Sequence, residues 1–501
     1  VAGAAPGSGG RQPDARTESP ARAADPSPQR WRALAVCLIA GFMTLLDVSI
    51  VNVALPTVRT GLHMTQSGLQ WVLSGYALAF GLALVPAGRL GDARDRRAVF
   101  LFGLALFTAA SALCGAAQNE AWLIAARLVQ GLAGGIIVPQ VSGFIQTSFA
   151  GPERGRAFGM LGAVIGISTA VGPLLGGLLI ELAGPQNGWR LVFLVNVPIG
   201  VAALPIARRL LPDPPPRPAR GSRHSDLDPV GVLLLGVGTT ALLLPFVQEQ
   251  WHDRARWLLL PVAVLLLTAF TAWERRYGRR REPLVSMELF ARRSYAAGTL
   301  LSLLYFAGFT SVFFVFTLYL QAGLHYSALA AGLAITPFAM GSAVAAAVGG
   351  RLVARLGRRL VAVGLACVLV GLGGAALAAH VTSGGTTGWA TAAPLLLAGA
   401  GSGLVIAPNQ TVTLQEVPVV RAGSAGGVLQ TAQRIGSAVG IAVVGSVFLG
   451  HAGGAPDAWT GAFQLGMAVS AAFVLVALAV ATADVRGHRP APPERPPAAE
   501  R

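Results

Sequence analysis

The chain has 501 residues, of which 53% are hydrophobic and only 12% charged, with a formal net charge of +16. Soluble domains carry about 25% charge, so that class is excluded, and apolar runs recur that can each cross roughly 30 Å of hydrocarbon. Lysine is absent, and the arginines that make the chain basic fall mainly in short loops, which membrane topology explains without a nucleic-acid partner.

Residues 1–30 are rich in Pro, Ala, Gly, Ser and charge, and read as a disordered tail without the order of a signal peptide. The opening valine points to a tail that is incomplete or processed. The first apolar segment, Trp31 to Pro56, carries Asp47 roughly 20 Å beyond Arg32 if helical. A carboxylate there costs several kcal/mol unless a partner, a water-filled cavity or protonation relieves it.

Apolar segments then continue at about 70–90, 98–118, 122–147, 157–180, 190–208, 229–249, 256–273, 295–320, 328–350, 359–380, 389–413, 424–449 and 461–483. With the first, at 33–57, they make fourteen spans of an all-α polytopic membrane protein. Alternate loops hold Arg89 to Arg97, Arg154 and Arg156, Arg208 to Arg223, Arg275 to Arg293, and Arg351 to Arg359. The opposite loops have little beyond Arg59, Arg254 and Arg256, so both termini are expected in the cytoplasm and the chain in the cytoplasmic (inner) membrane.

The proline-rich break at 210–228 suits a cytoplasmic linker, and its His224 reads as an exposed loop residue. It divides a six-helix bundle at 31–209 from an extra two-helix hairpin at 229–273. A cytoplasmic loop at 274–294 leads to a second six-helix bundle at 295–484, and 485–501 reads as a disordered tail. Two basic turns support the pairing of bundles: Gly88-Arg-Leu-Gly-Asp92-Ala-Arg-Asp-Arg96-Arg97 and Gly350-Arg-Leu-Val-Ala354-Arg-Leu-Gly-Arg-Arg359.

Four motifs carry chemistry. The first is Leu46-Asp47-Val48-Ser49-Ile50-Val51-Asn52-Val53-Ala54-Leu55-Pro56. The second is the loop Gly88-x-Leu90-x-Asp92, whose acid can accept from a helix amino terminus or pair with Arg96 or Arg97. Asp95 follows in the same loop, and Ala354 stands in the repeat where Asp92 stands here. The third, Arg127-Leu-Val-Gln130-Gly131-Leu-Ala-Gly134-Gly135, puts an arginine within the early part of span four. The fourth, in span five, sets Gly162, Gly166, Gly172, Pro173, Gly176 and Gly177 at spacings that let helices approach, with Pro173 freeing a carbonyl and introducing a kink.

These motifs, over about residues 31–484, resemble the major facilitator superfamily, and within it the fourteen-span drug:proton antiporters, the QacA/EmrB-like branch. The resemblance implies that Asp47 and Arg127 couple protons, with Arg127 lowering the proton affinity of a partner carboxylate for which Asp47 is the candidate. It further implies that Gly88, Asp92, Arg96 and Arg97 belong to a gating loop, in which Asp95 stands for the family's usual later glycine and whose repeat, with Ala354, makes a weaker latch, and that the span-five motif marks antiport. Supporting similarities are Trp189-Arg190-x-x-Phe193-x-x-Asn196-x-Pro198 and Gln433-Arg434-x-Gly436, with Glu416 near a gate.

A substrate cavity is expected to draw on Trp71, Tyr76, Tyr305, Phe309, Gln433 and Arg434, with Phe80, Phe306, Phe313 and Phe316 as further rings suited to flat or cationic ligands. Cys37, Cys114 and Cys367 lie far apart in apolar segments, so neither a disulfide nor a metal site is suggested. There is no HExxH, no nucleophile motif and no GxxxxGK[ST], so no enzyme, no P-loop ATPase and no cofactor is expected. The reading is proton-coupled export of small hydrophobic, amphipathic or cationic compounds across the bilayer, and a monomer is compatible with it. The alternatives are a dedicated exporter of one endogenous metabolite or antibiotic and, more remotely, a non-transporting receptor or assembly protein on the same scaffold.

Overall fold

The computed structural model describes residues 28–212, 228–247, 254–279, 281, 283–382, 384–453 and 456–487. The expectations for residues 1–27, for 213–227 with His224, and for 488–501 lie outside the described residues. Apolar segments have no water to satisfy their backbone, so each closes its hydrogen bonds internally as a helix. The helices of the first half are α1 (Pro28–Gly61), α2 (Gln66–Ala93), α3 (Arg96–Gly115), α4 (Glu120–Ser148), α5 (Gly151–Leu194) and α6 (Asn196–Leu210). A hairpin follows of α7 (Pro229–Val247) and α8 (Leu259–Tyr277), then the short α9 (Glu288–Ala291). The second half holds α10 (Arg293–Leu318), α11 (Ala328–Leu356), α12 (Arg358–Val381), α13 (Thr387–Ala390), α14 (Ala392–Gln415), α15 (Ala422–His451) and α16 (Pro456–Gly487).

Among the described residues, thirteen helical stretches are long and apolar enough to cross a membrane, and the shorter apolar helix Pro229–Pro245 makes a fourteenth segment. Side chains cap the amino ends of several of these helices. Thr65 Oγ1 accepts from Gly68 N at 2.9 Å ahead of α2, and Asp95 Oδ1 accepts from Arg97 N at 2.9 Å ahead of α3. Asp95 therefore replaces the usual glycine with a helix cap. Span five continues with helical dihedrals through Pro173 and breaks instead at Gly184, where φ is 78° and ψ 163°. Only glycine adopts that conformation readily.

Two apolar cores anchor the two bundles. The first gathers Phe100, Phe107, Phe144 and Phe158, and the second Phe316, Tyr319, Phe448 and Phe463. The bundles meet along two helix pairs, α5 with α11 and α2 with α15. Where α5 passes α11, Gly155 and Gly350 face one another so closely that neither has room for a Cβ. The hairpin α7–α8 rests on the other seam, against α2 and α15. Its contact is sealed by Val85, Phe270, Leu284 and Val285, with Val428 packed beside them.

The arginine-rich helix ends share one face. Arg30, in the first turn of α1, pairs with Glu153 at 2.8 Å, Arg97 donates to the Arg208 carbonyl, and Arg96 Nη1 donates to the Gly143 carbonyl at 2.7 Å. Asp228 and Glu274 lie buried at this end of the hairpin, the first accepting from Trp273 Nε1 at 2.7 Å and the second from Val285 N at 3.1 Å.

Candidate functional site

Halfway along α1, Asp47 meets Arg127 of α4. Arg127 Nη1 donates to Asp47 Oδ2 at 2.6 Å, while Gln130 Nε2 and Asn196 Nδ2 donate to Oδ1 at 2.8 and 3.1 Å. Gln130 Oε1 accepts from Arg127 Nη1 at 2.7 Å, and Gln130 Nε2 also donates to Ser111 Oγ at 2.8 Å. Arg127 Nε donates to the Val72 carbonyl at 3.0 Å. Asp47 is 0% and Arg127 1% exposed, so the charges are neutralised inside the bundle and not by water. The network ties α1, α3, α4 and the start of α6 to one carboxylate, with a backbone contact to α2. Such a pair has little net worth when intact, but removing either partner leaves an uncompensated charge at a cost of about 3–5 kcal/mol.

The rings lie beside this pair. The Arg127 guanidinium carbon stands 4.1 Å from the Tyr76 ring centroid, and Tyr76 stacks on Phe80 at 6.0 Å. Arg434 of α15 stands 4.4 Å from the centroid of that same Phe80, across the seam between bundles. The two intramembrane arginines are thus joined through two rings of α2. Trp71 is partly buried one turn before Gly75, and Gln433 is buried in α15.

Tyr305 and Phe309 stand elsewhere, in a cluster with Phe306, Phe313 and Phe338 between α10 and α11. Phe316 packs on Phe463 at 5.9 Å in the second core. The expected cavity residues therefore form two separate groups. Two voids of about 280 and 340 Å³ lie at the arginine-rich ends, against Arg293 and Asp484 and against Arg94 and Asp95, and none of these rings lines them.

At that same end Asp92 spans the two bundles. Its Oδ1 accepts from Gly423 N and its Oδ2 from Ser424 N, both at 2.8 Å, at the amino terminus of α15. Arg96 Nη2 donates to Oδ1 at 2.6 Å, so one carboxylate serves a helix terminus and a cation together. Gly88 lies directly on the Gly423 backbone, which leaves no space for a side chain. At the repeat turn, Gly350 meets Gly155 by backbone packing, and Ala354 offers no acid. Glu416 is exposed, and its carbonyl accepts from Arg292.

The span-five glycines divide by partner. Gly162 and Gly166 face the second bundle at Ala346 with Ala407 and at Ala339 with Ala343, whereas Gly172 and Gly176 seat α5 on Ser49 and Ile50 of α1. Gly177 faces open space. Because Pro173 has no N–H, the Thr169 carbonyl four residues earlier is free to accept from Ser49 Oγ at 3.2 Å, two residues from Asp47. On the same helix as Asp47, Asn52 Nδ2 donates to its own Val48 carbonyl at 3.1 Å, and Pro56 lies within α1. Arg190 donates to the Gly115 and Ala117 carbonyls at 2.9 and 2.6 Å, which fixes a helix end.

A second buried network escaped the reading of the sequence. Arg358, which looked like one more topology arginine, donates from Nε to Asp484 Oδ2 at 2.9 Å and from Nη2 to the Ser294 carbonyl at 3.0 Å. It also donates to Asn409 Oδ1. The available signal was Asp484 itself, an acid three residues short of the end of α16.

Two bundles crossing at paired helices, with a buried acid–arginine pair in one and the Asp92 carboxylate bridging them, define a membrane transporter. The profile of the Major Facilitator Superfamily matches residues 37–441 and 298–501, and the chain belongs to that family of secondary transporters. It is 37% identical over 437 residues to a protein of Streptomyces coelicolor described as a "Probable actinorhodin transporter", covering 86% of this chain and 75% of that one. It is also 37% identical over 471 residues to the cephamycin export protein of Amycolatopsis lactamdurans, covering 90% and 93% of the two chains. Among solved structures, the human organic anion transporter MFSD10 superposes with a TM-score of 0.65 over 91% of this chain and 100% of its own, at 17% identity, a likeness of fold alone.

Proposed function

We propose that the chain is a proton-coupled antiporter of the fourteen-span, QacA/EmrB-like branch that exports small hydrophobic or amphipathic compounds. In this reading it sits in the cytoplasmic membrane as a single chain with both termini and the arginine-rich face inside. The six-helix units are 31–209 and 295–484, with 229–273 as the added hairpin. The observation that carries it is the Asp47–Arg127 pair, buried halfway across and held by Gln130 and Asn196.

With Asp92 bound to α15, the cytoplasmic side is closed, and cargo leaves toward the outside from this state. A proton arriving from outside neutralises Asp47 and removes its attraction for Arg127. The freed guanidinium turns toward other acceptors, and the rearrangement of α1 against α4 favours release of Asp92 from Gly423 and Ser424. Loss of the proton to the cytoplasm restores the pair. Each proton moving inward down the potential supplies about 2.3 kcal/mol per 100 mV. Gly172, Gly176 and the Thr169 carbonyl keep α5 seated on the same turn of α1, so both bundles sense its position.

The test is proton release from everted vesicles holding a pH-sensitive dye and presented with a panel of aromatic acids, esters and ammonium compounds. Antiport predicts that a transported compound discharges the pH gradient in wild type and not in Asp47→Asn. Discharge of equal size in both would refute the role of Asp47. A second reading, export of one endogenous product, is favoured by the relatives named for actinorhodin and for cephamycin. A response to a single panel compound would select it over multidrug efflux.

A further inference from the structure

Arg434 lies near the middle of α15 (Ala422–His451), opposite Phe80 at the middle of α2. A guanidinium at that depth is strongly unfavourable unless an anion or a set of acceptors compensates it. Arg127 has such a set in Asp47, Gln130 and the Val72 carbonyl. Among the described residues Arg434 has no hydrogen bond and no ion pair, and its described partner is the Phe80 ring at 4.4 Å. A ring face is a weak substitute for a carboxylate.

Among the described residues, no acid within the membrane-spanning bundles is free to serve. Asp47 is fully engaged and 0% exposed, and Asp92 and Asp484 are committed at the arginine-rich ends. A second orphan stands beside the first. The Tyr76 hydroxyl is buried without a hydrogen-bond partner, on a ring stacked against the same Phe80 that Arg434 faces. A cation and a phenol donor, both lacking an acceptor, converge at the seam between bundles beside aromatic faces. What is missing there is an anion attached to something flat.

We infer that Arg434 and Tyr76 form the anion subsite of the transported compound, so that the cargo is an aromatic molecule bearing a carboxylate or an ionised phenol. The inference rests on the transport reading above and narrows it, since cationic drugs would meet a positive charge at this seam. The two rings of Tyr76 and Phe80 also place the subsite next to the Asp47–Arg127 pair.

Equilibrium binding to the full-length protein in nanodiscs, with no gradient imposed, tests this separately from proton-coupled flux. The probes are anthraquinone-2-carboxylate, its methyl ester, and the corresponding trimethylammonium derivative. Wild type is expected to bind the acid at least about tenfold tighter than the ester, a difference of about 1.4 kcal/mol. Arg434→Gln should erase that preference while leaving ester affinity within about twofold, and Arg434→Lys should keep part of it. Tyr76→Phe should weaken the acid alone, by a smaller factor. Replacing gluconate with chloride separates a ligand carboxylate from an inorganic counter-ion, and abolition of acid binding by chloride would overturn the assignment. So would equal binding of acid and ester, preference for the ammonium compound, or binding of no probe by wild type. Equal loss of acid and ester in both Arg434 variants would mean that the arginine only supports the fold. Retained discrimination with no gradient-driven flux would uphold the subsite and sink the coupling instead.

Discussion

Asp47 in the first bundle and Asp484 in the second are both buried and both held by an arginine, yet they sit at different depths. Asp47 lies halfway along α1 and is closed in by side chains of α3, α4 and α6. Asp484 lies at the end of α16, against Arg358 at the first residue of α12 and within 3.7 Å of the exposed Arg293. Breaking the second pair costs stability, but water and nearby polar groups at the helix ends can take up part of the charge. The first has no such outlet, and a change in its protonation must be met by moving helices. In the proposed mechanism, depth therefore separates a coupling group from an anchor made of the same residue types. The middle of the second bundle carries Arg434 instead, with a ring where the first bundle has an acid.

The largest effect is expected at the first pair. Asp47→Asn should abolish gradient-driven flux and, by stranding Arg127, cost about 3–5 kcal/mol. Melting of the purified protein should drop accordingly, and the double variant Asp47→Asn with Arg127→Gln should recover most of the melting temperature and none of the flux. Recovery of both would erase the distinction between the two acids. Asp484→Asn should also destabilise, by about 3 kcal/mol at most, since Arg358 keeps Asn409 and the Ser294 carbonyl. Flux per folded molecule should stay near wild type, which size-exclusion yield and proteoliposome rates together would measure.

Next comes the latch. Asp92→Asn loses charge-assisted bonds to Gly423 and Ser424 worth about 1.5–3 kcal/mol and should shift the population toward opening at the arginine-rich face. Spin labels at the exposed positions Arg94 and Glu416 should then report longer separations. The smallest effect lies within the span-five motif. Gly172→Ala should cost about 1–3 kcal/mol, because its Cβ would meet Ser49, whereas Gly177→Ala should change stability by less than about 0.5 kcal/mol.

Span number was legible because each membrane segment must be apolar for its whole length, and the basic turns at 88–97 and 350–359 exposed the repeat. Asp47 and Arg127 stood out because charge is rare in such segments. What stayed hidden was partnership. Nothing in the spacing says that Gln130 and Asn196 complete one carboxylate, since their contacts cross 83 and 149 residues of chain. Arg358 was hidden for the opposite reason, because an arginine at a helix end looks like topology whether or not it is buried. The aromatic residues were found by type but not by grouping. The spans put Tyr76 in the first bundle and Tyr305 in the second, but only packing shows that Tyr76 joins Phe80 and Arg127 while Tyr305 joins Phe306 and Phe309.

The most direct measurement compares two modes of transport in proteoliposomes for whichever compound of the aromatic panel wild type moves. One is uphill accumulation driven by an imposed pH gradient, and the other is exchange of labelled for unlabelled compound with no gradient. The account predicts that wild type performs both, whereas Asp47→Asn with Arg127→Gln exchanges but does not accumulate. Gradient-driven accumulation at the wild-type rate by that double variant would contradict it, because the proton would then be carried by some group other than Asp47.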